Sequence, residues 1–312
     1  MKRWLLALVI FILILSIALI YGIIPKNIIV SSSLYIHANS SAVSRSLVNN
    51  NDWKKWWPSN GGNFSDSGFT HDQYTFKISE KFYHAVQVQI QTEGMSRESR
   101  INIFPVTKDS LYLFWKYEFQ ASLNPFSRFY EYRQAVNTKK EMDNILLSMK
   151  SFLVNKENVY GIKISQIMSK DSTLITTKFR TNDYPTTAEI YEAIYKLKDF
   201  AALNHARENN FPMKQTEKLK EGGYETMVAI PINKALANKG KFILKRYVPW
   251  KEMMGQVTGG DSTISRGSQH FKIFLQEYQY MQMTTPFESL VTDRSIEKDS
   301  SKWVTRFICP IP

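Results

Sequence analysis

From Trp4 to Ile24 the chain carries an unbroken apolar run, WLLALVIFILILSIALIYGII, holding one serine and no charge. At helical rise it spans about 30 Å, the thickness of a bilayer's hydrocarbon core. The apolar character runs all the way round the helix, so residues 1–25 are predicted to form a single transmembrane anchor. A cleaved secretory signal is the competing reading, because Lys2 and Arg3 precede the run. Against it, the run exceeds an ordinary signal's apolar region, and its end, YGIIPKN, lacks a small-residue cleavage site. Lys2, Arg3 and the amino terminus outweigh Lys26, which puts the N-terminus in the cytoplasm and the rest of a single-pass membrane protein outside it.

Beyond Pro25 the period changes from uniform to alternating. Ile28, Val30, Ser32, Leu34 and Ile36 alternate with mostly polar neighbours and predict a strand. ANSSAVSRSLVN offers an N-cap followed by Val43 and Leu47 one helical turn apart, a short helix that WKKWWPSNGG ends in a turn. QYTFKIS, YHAVQVQIQTE, SRINIFPV and SLYLFWKYEFQ alternate as four more strands, with Val86, Val88 and Ile90 on one face of the second. Leu111, Leu113, Trp115, Tyr117 and Phe119 share one face of the fourth. Short links join them, so an antiparallel meander is expected. Met142, Ile145, Leu146, Met149, Phe152 and Leu153 then fall at helical spacing.

A second set of elements begins near Tyr160. YGIKISQIMS and STLITTKFRT read as strands. The stretch from Tyr184 to Phe211 reads as a helix, with Ile190, Tyr191, Ile194, Leu197, Phe200 and Ala201 along one stripe and Thr186 or Thr187 near its start. EGGYETMVAIPI and GKFILKRYVPW are strands, STISRGSQHFKIFLQEYQYMQM a second helix, and PFESLVT with KWVTRFICPIP a closing strand pair. The fold class is α+β in two domains after the anchor, 26–157 and 158–312, the second a duplication of a strand-strand-helix unit.

The chain of 312 residues is 43% hydrophobic and 22% charged, a globular balance. Its net charge is +12, which would suit nucleic acid or an anionic surface. The excess is spread along the chain, and nothing reads as a DNA-recognition helix, so no nucleic-acid partner is expected. Cys309 is the single cysteine. No disulfide or paired-cysteine metal site can form from it, and it reads as a small hydrophobe on the last strand. The five histidines show no metal spacing. GxSxG, P-loop and GxGxxG motifs are missing, and VTGGDS lacks the lysine of a phosphate cradle. No cofactor and no metal is expected.

Two stretches carry resemblances. The strand-helix opening leading to NDWKKWWP, the meander and the last helix, from about Ile28 to Asn155, resemble the SRPBCC or START-like helix-grip superfamily, also called polyketide cyclase-like. That resemblance implies a curved sheet around a long C-terminal helix, with an apolar cavity between them. Trp53, Trp56 and Trp57 would face that cavity or simply pack beneath a loop. From about Val159 to Pro312, the phrases DYPTTAEIYEAIYKLKDF, YETMVAIPI, VTGG, PFESLVTD and WVTRFICPIP resemble the gyrase-inhibitor-like domain, the effector-binding domain of AraC-type and multidrug-sensing bacterial regulators. It implies a duplicated fold with an aromatic-lined groove, and a ligand-facing glutamate in the strand after the second helix.

The matching glutamate is Glu288. Strand alternation puts Pro286, Glu288 and Leu290 on one face and Phe287, Ser289 and Val291 on the other. As a pocket acid it would meet a hydrophobic or cationic small molecule, with Tyr191, Tyr247, Trp250 and Trp303 as candidate rings adding cation-π attraction. As a surface acid on an edge strand it would do nothing of the kind, and Pro286 is compatible with an edge. Some relatives of the domain resemble hydrolases in which this glutamate assists water, so Glu288 as general base is the enzymatic alternative. A non-catalytic protein-interaction scaffold is the third.

Overall fold

The apolar run forms α1, Lys2–Ile23, of which Trp4–Ile23 has a mean hydropathy of 3.0 and is not buried by the rest of the chain. By length and composition it is able to cross a membrane. The computed structural model describes residues 2–58, 62–65, 68–169, 173–248 and 250–312. The chain divides into two units, Met1–Asn155 and Lys156–Pro312, each with its own mixed α+β architecture and antiparallel sheet.

In the first unit β1, Asn27–Ile36, is followed by two short helices where one was expected, α2, Ser40–Val48, and α3, Asn50–Trp56. Asn49 explains the difference. Its extended backbone ends α2, while its side chain accepts from the Asn51 amide and starts α3. One asparagine thus serves as the end of one helix and the N-cap of the next. Strands β2, Gly62–Ser65, β3, Gly68–His71, β4, Tyr74–Phe82, β5, Ala85–Thr92, β6, Met95–Thr107, and β7, Ser110–Gln120, follow. Among the described residues they form a seven-stranded antiparallel sheet in the order β1-β7-β6-β5-β4-β3-β2. Helix α4, Pro125–Val154, starts earlier than its buried stripe implies, because Asn124 caps it and Pro125 fits the first helical position.

Trp53, Trp56 and Trp57 are buried and pack as core. Trp53 stacks on Trp57 with centroids 5.4 Å apart, and Phe69, Phe76 and Trp115 extend the cluster. Their indole N–H groups are satisfied as burial demands, Trp53 donating to the Leu47 carbonyl at 2.8 Å and Trp57 to that of Thr70 at 2.9 Å.

Tyr117, buried in the same sheet, has its pKa raised from 10.0 to about 12 by burial of the phenol. The folded unit keeps this proton where the unfolded chain loses it. Its contribution to stability is therefore full below pH 10 and lost as pH rises from 10 to about 12, at ~1.4 kcal/mol per pH unit. Tyr117→Phe is expected to flatten the fall of the urea midpoint over that window; an unchanged slope would show that other groups cause it.

The second unit begins with α5, Lys156–Tyr160, β8, Lys163–Met168, and β9, Thr173–Thr181. Helix α6, Thr187–Leu203, opens with a capping box in which Thr186 and Glu189 satisfy each other's backbone amides. Then come β10, Met213–Lys218, β11, Tyr224–Pro231, β12, Ile243–Arg246, and β13, Lys251–Thr258. Helix α7, Asp261–Glu277, and strands β14, Phe287–Leu290, and β15, Val304–Ile311, complete it. The sheet order is β12-β9-β11-β10-β14-β15-β13-β8.

The repeat has a different phase from the one expected. Its unit is strand-helix-strand-strand, β9-α6-β10-β11 and again β13-α7-β14-β15. In each half the last strand lies between the first two, and the halves meet where β10 pairs with β14. Two strands absent from the sequence reading, β10 and β13, produce the shift. Helix α6 buries Ile190, Ile194 and Leu197 against Ile175, Val228, Ile230 and Leu290. Helix α7 approaches closely at Gly267, where a Cβ would stand 2.6 Å from Val257 Cγ1.

Candidate functional site

The seam between the two halves is short. Met213 pairs with Ser289 and Lys214 with Glu288. Leu290 belongs to the core under α6, so by alternation Glu288 shares that helix-covered face, as does Lys214 opposite it. The helices do not close over the seam. They leave a cleft of about 700 Å³ whose walls include Tyr184, Ile190, Lys214, Phe271, Glu288, Arg294 and Phe307.

Lys214 is almost wholly buried, and its Nζ lies 2.9 Å from Glu288 Oε1 and 3.1 Å from the Tyr184 hydroxyl. Burial alone would lower its pKa, but the Glu288 charge and the Tyr184 contacts outweigh desolvation and raise it above its ordinary value. The ammonium is thus held charged inside the protein. Glu288 Oε2 is buried and accepts no hydrogen bond from any of the described residues.

A second polar group enters the cleft from the loop after β14. Arg294 is 7% exposed; one of its terminal nitrogens donates to Thr305 Oγ1 at 2.7 Å, and its buried Nε has no partner among the described residues. The guanidinium lies over the Trp303 ring, 5.1 Å from its centroid. The Arg294 backbone N–H donates to the Tyr191 hydroxyl at 2.8 Å, and that hydroxyl donates to the Thr292 carbonyl at 3.0 Å. The cleft therefore presents one unused acceptor and one unused donor, each at a buried charged side chain and each costly to leave unmet.

The five residues singled out in the sequence separate in space. Glu288 lines the cleft. Tyr191 sits in the α6 core and Trp303 under Arg294, so both hold the arginine loop rather than form the wall. Tyr247 lies on the opposite face, where its hydroxyl donates to buried Glu252 at 2.5 Å beside a smaller cavity of about 230 Å³. Trp250 is exposed and lines neither. The rings that line the cleft are Tyr184, Phe271, Phe287 and Phe307. Lys214 and Arg294 escaped the sequence reading. Lys214 occupies the buried position of a strand, MKQTEK, whose hydropathy gives no inward face, and Arg294 follows a strand of four residues without any motif of its own.

Cys309 is buried, and its thiol pKa is pushed up to about 11 by burial, with the Glu252 charge adding to it. It is held protonated and unreactive at neutral pH. In the first unit His71, Asp72 and Glu141 bring one donor atom each within 4.8 Å of one another, a metal-capable grouping that no local spacing announced. His71 Nδ1 lies 2.5 Å from Glu141 Oε2, so the pair also satisfies itself as a hydrogen-bonded couple.

No family model matches the chain, and no curated protein matches it. Solved structures do. The chain is similar to EcmrR in its cryo-EM complex with DNA, at 14% identity and a TM-score of 0.44, covering 59% of this chain and 69% of that one. SAV2435 bound to tetraphenylphosphonium is similar at 15% identity and a TM-score of 0.34, over 48% of this chain and 93% of that one. A hydrolase from Listeria innocua gives 9%, 0.35, and coverage of 48% and 92%. At such low likeness, function is read from the cleft's own residues.

Proposed function

We propose that the second unit is a gyrase-inhibitor-like receptor that reversibly binds a small molecule over the β10–β14 seam. The observation that carries this is Glu288: one oxygen is fixed by buried Lys214 at 2.9 Å, and the other is buried without a partner in a cleft of about 700 Å³. Such a volume lies in the range that encloses small-molecule ligands. The occupant that fits has an apolar body for Phe271, Phe307 and Ile190 and an N–H or ammonium donor for Glu288 Oε2. An acceptor on the same molecule would meet Arg294 Nε. Because Lys214 already balances the Glu288 charge, the preference is for a hydrogen-bond donor on a lipophilic frame, with organic cations one class of it.

In this reading the first unit is an SRPBCC-like helix-grip domain, supported by its order of strand, two helices, six strands and long helix. Helix α1 tethers the protein to a bilayer, with both units on the outer side by the positive-inside bias. The protein then captures or senses hydrophobic molecules at the membrane surface.

A thermal-shift screen of the full chain in lipid nanodiscs against lipophilic amines, organic cations and neutral lipids tests this. At 100 times Kd, a ligand should add about 2.7 kcal/mol of stability. Glu288→Gln should lose the shift with donor-bearing compounds. Equal shifts in both proteins would remove Glu288 from the site, and product formation in the same samples would indicate the hydrolytic alternative.

A further inference from the structure

The start of α4 carries a stripe of exposed aromatic residues. Phe126, Phe129, Tyr130 and Arg133 are all exposed, with Phe126 at 71%, and Leu123 just before the helix is exposed too. At helical spacing they share one face, opposite the face that buries Arg128, Ala135, Thr138 and Met142. Further along, the same face mixes Val136 and Leu147 with the polar Asn137, Lys140 and Asn144. The exposed aromatic residues are confined to the first turns of a 30-residue helix.

Those turns are fastened to the end of α1. Buried Arg128 donates from Nε to the Ile24 carbonyl at 3.1 Å and from a terminal nitrogen at 2.5 Å, and its guanidinium lies 5.0 Å from the Tyr21 ring centroid. The Tyr21 hydroxyl donates in turn to the Leu123 carbonyl. Trp4 and Tyr21 lie near the two ends of the apolar helix, about 26 Å apart at helical rise, the usual places for aromatic residues at the two faces of a bilayer.

We infer that the Leu123–Arg133 face of α4 lies in the lipid interface beside the exit of α1, with its aromatic side chains among the headgroups and Arg133 toward lipid phosphate. This inference rests on the reading of α1 as a membrane anchor. The stripe is continuous with the apolar helix, being clamped to its end, and its composition of phenylalanine, tyrosine and arginine is that of an interfacial surface. The bundle of contacts around Arg128 then sets how the first unit stands on the bilayer.

The test is nitroxide labelling of the full chain in phosphatidylcholine and phosphatidylglycerol nanodiscs, in a Cys309→Ala background, at Ile14→Cys, Phe126→Cys and Asn144→Cys. Collision with oxygen and with a water-soluble nickel chelate is compared. The expected result is a ratio of oxygen to nickel accessibility that is high at Ile14 and severalfold higher at Phe126 than at Asn144. A label at Phe126 that behaves like Asn144 while Ile14 lies in lipid would overturn the interfacial stripe and leave the anchor standing. Aqueous behaviour at both Ile14 and Phe126 would overturn the anchor and the inference together. A label at Phe126 shielded from both reagents would mean that protein, such as a second copy, covers the stripe, and would also overturn it.

Discussion

Replacing Lys214 with methionine is expected to destabilise the second unit by about 3 kcal/mol, the low end of the 3–5 kcal/mol typical when one partner of a buried ion pair is removed. The low end applies because the Glu288 side chain keeps 19% exposure, against 3% for Lys214. Methionine preserves the stem's packing but leaves Glu288 with neither oxygen paired. Adding Glu288→Leu should restore most of the loss, since an apolar pair of similar volume removes both desolvation costs. The wild-type pair also predicts an alkaline limit. With its folded pKa raised, Lys214 contributes fully below the unfolded value of about 10.4, and the contribution is lost as pH rises through the folded one. Urea denaturation of the three proteins measures this. A single mutant within about 0.5 kcal/mol of wild type, the scatter of ordinary surface changes, would mean that the pair is not buried in solution.

Trp53→Ala should cost about 3–5 kcal/mol in the first unit, the usual range for emptying a buried aromatic site. Trp53 has no exposed surface, touches Trp56, Trp57 and Phe69, and donates its indole N–H to the end of α2. The cavity would be lined by rings held on both sides by strands and α4, which limits collapse. Trp53→Phe should recover part of the packing but not the hydrogen bond, leaving a loss between the two. A loss of under 1 kcal/mol for alanine, below the range for such sites, would show that the cluster repacks and was not tightly held.

Much of this architecture is written in alternation that needs no tertiary context. Val86, Val88 and Ile90, or Leu111, Leu113 and Trp115, are apolar at every second position because one side of their sheet is core. The α6 stripe and its threonine cap are equally direct. The elements hardest to read are those whose helix-facing positions are not a run of apolar side chains. In β10 the residue facing the helices is Lys214, which inverts the hydropathy signal; in β13 the face toward α7 is Met253, Gly255 and Val257, interrupted by a glycine, while Glu252 is buried on the other face. Losing these two strands shifted the phase of the repeat and hid the seam.

The same inversion hid half the candidate site. Glu288 was visible through the likeness of PFESLVTD to a known domain, whereas its partner lies 74 residues away across a register that only folding creates. The rings nearest in sequence to such phrases do not form the wall, for a related reason. Tyr191 and Trp303 position the Arg294 loop, while wall rings such as Phe271 and Phe307 come from α7 and β15 and meet only in three dimensions.

In the proposed receptor, ligand is held at the seam by Glu288 and not elsewhere in the second unit. The most direct measurement is equilibrium binding of the best compound from the nanodisc screen to wild type, Glu288→Gln and Glu252→Gln, the last altering the buried acid of the opposite face. At least a tenfold weakening, about 1.4 kcal/mol, is expected for Glu288→Gln, and wild-type affinity for Glu252→Gln. Unchanged affinity in Glu288→Gln, or a loss confined to Glu252→Gln, would contradict it and move the site to the other side of the sheet.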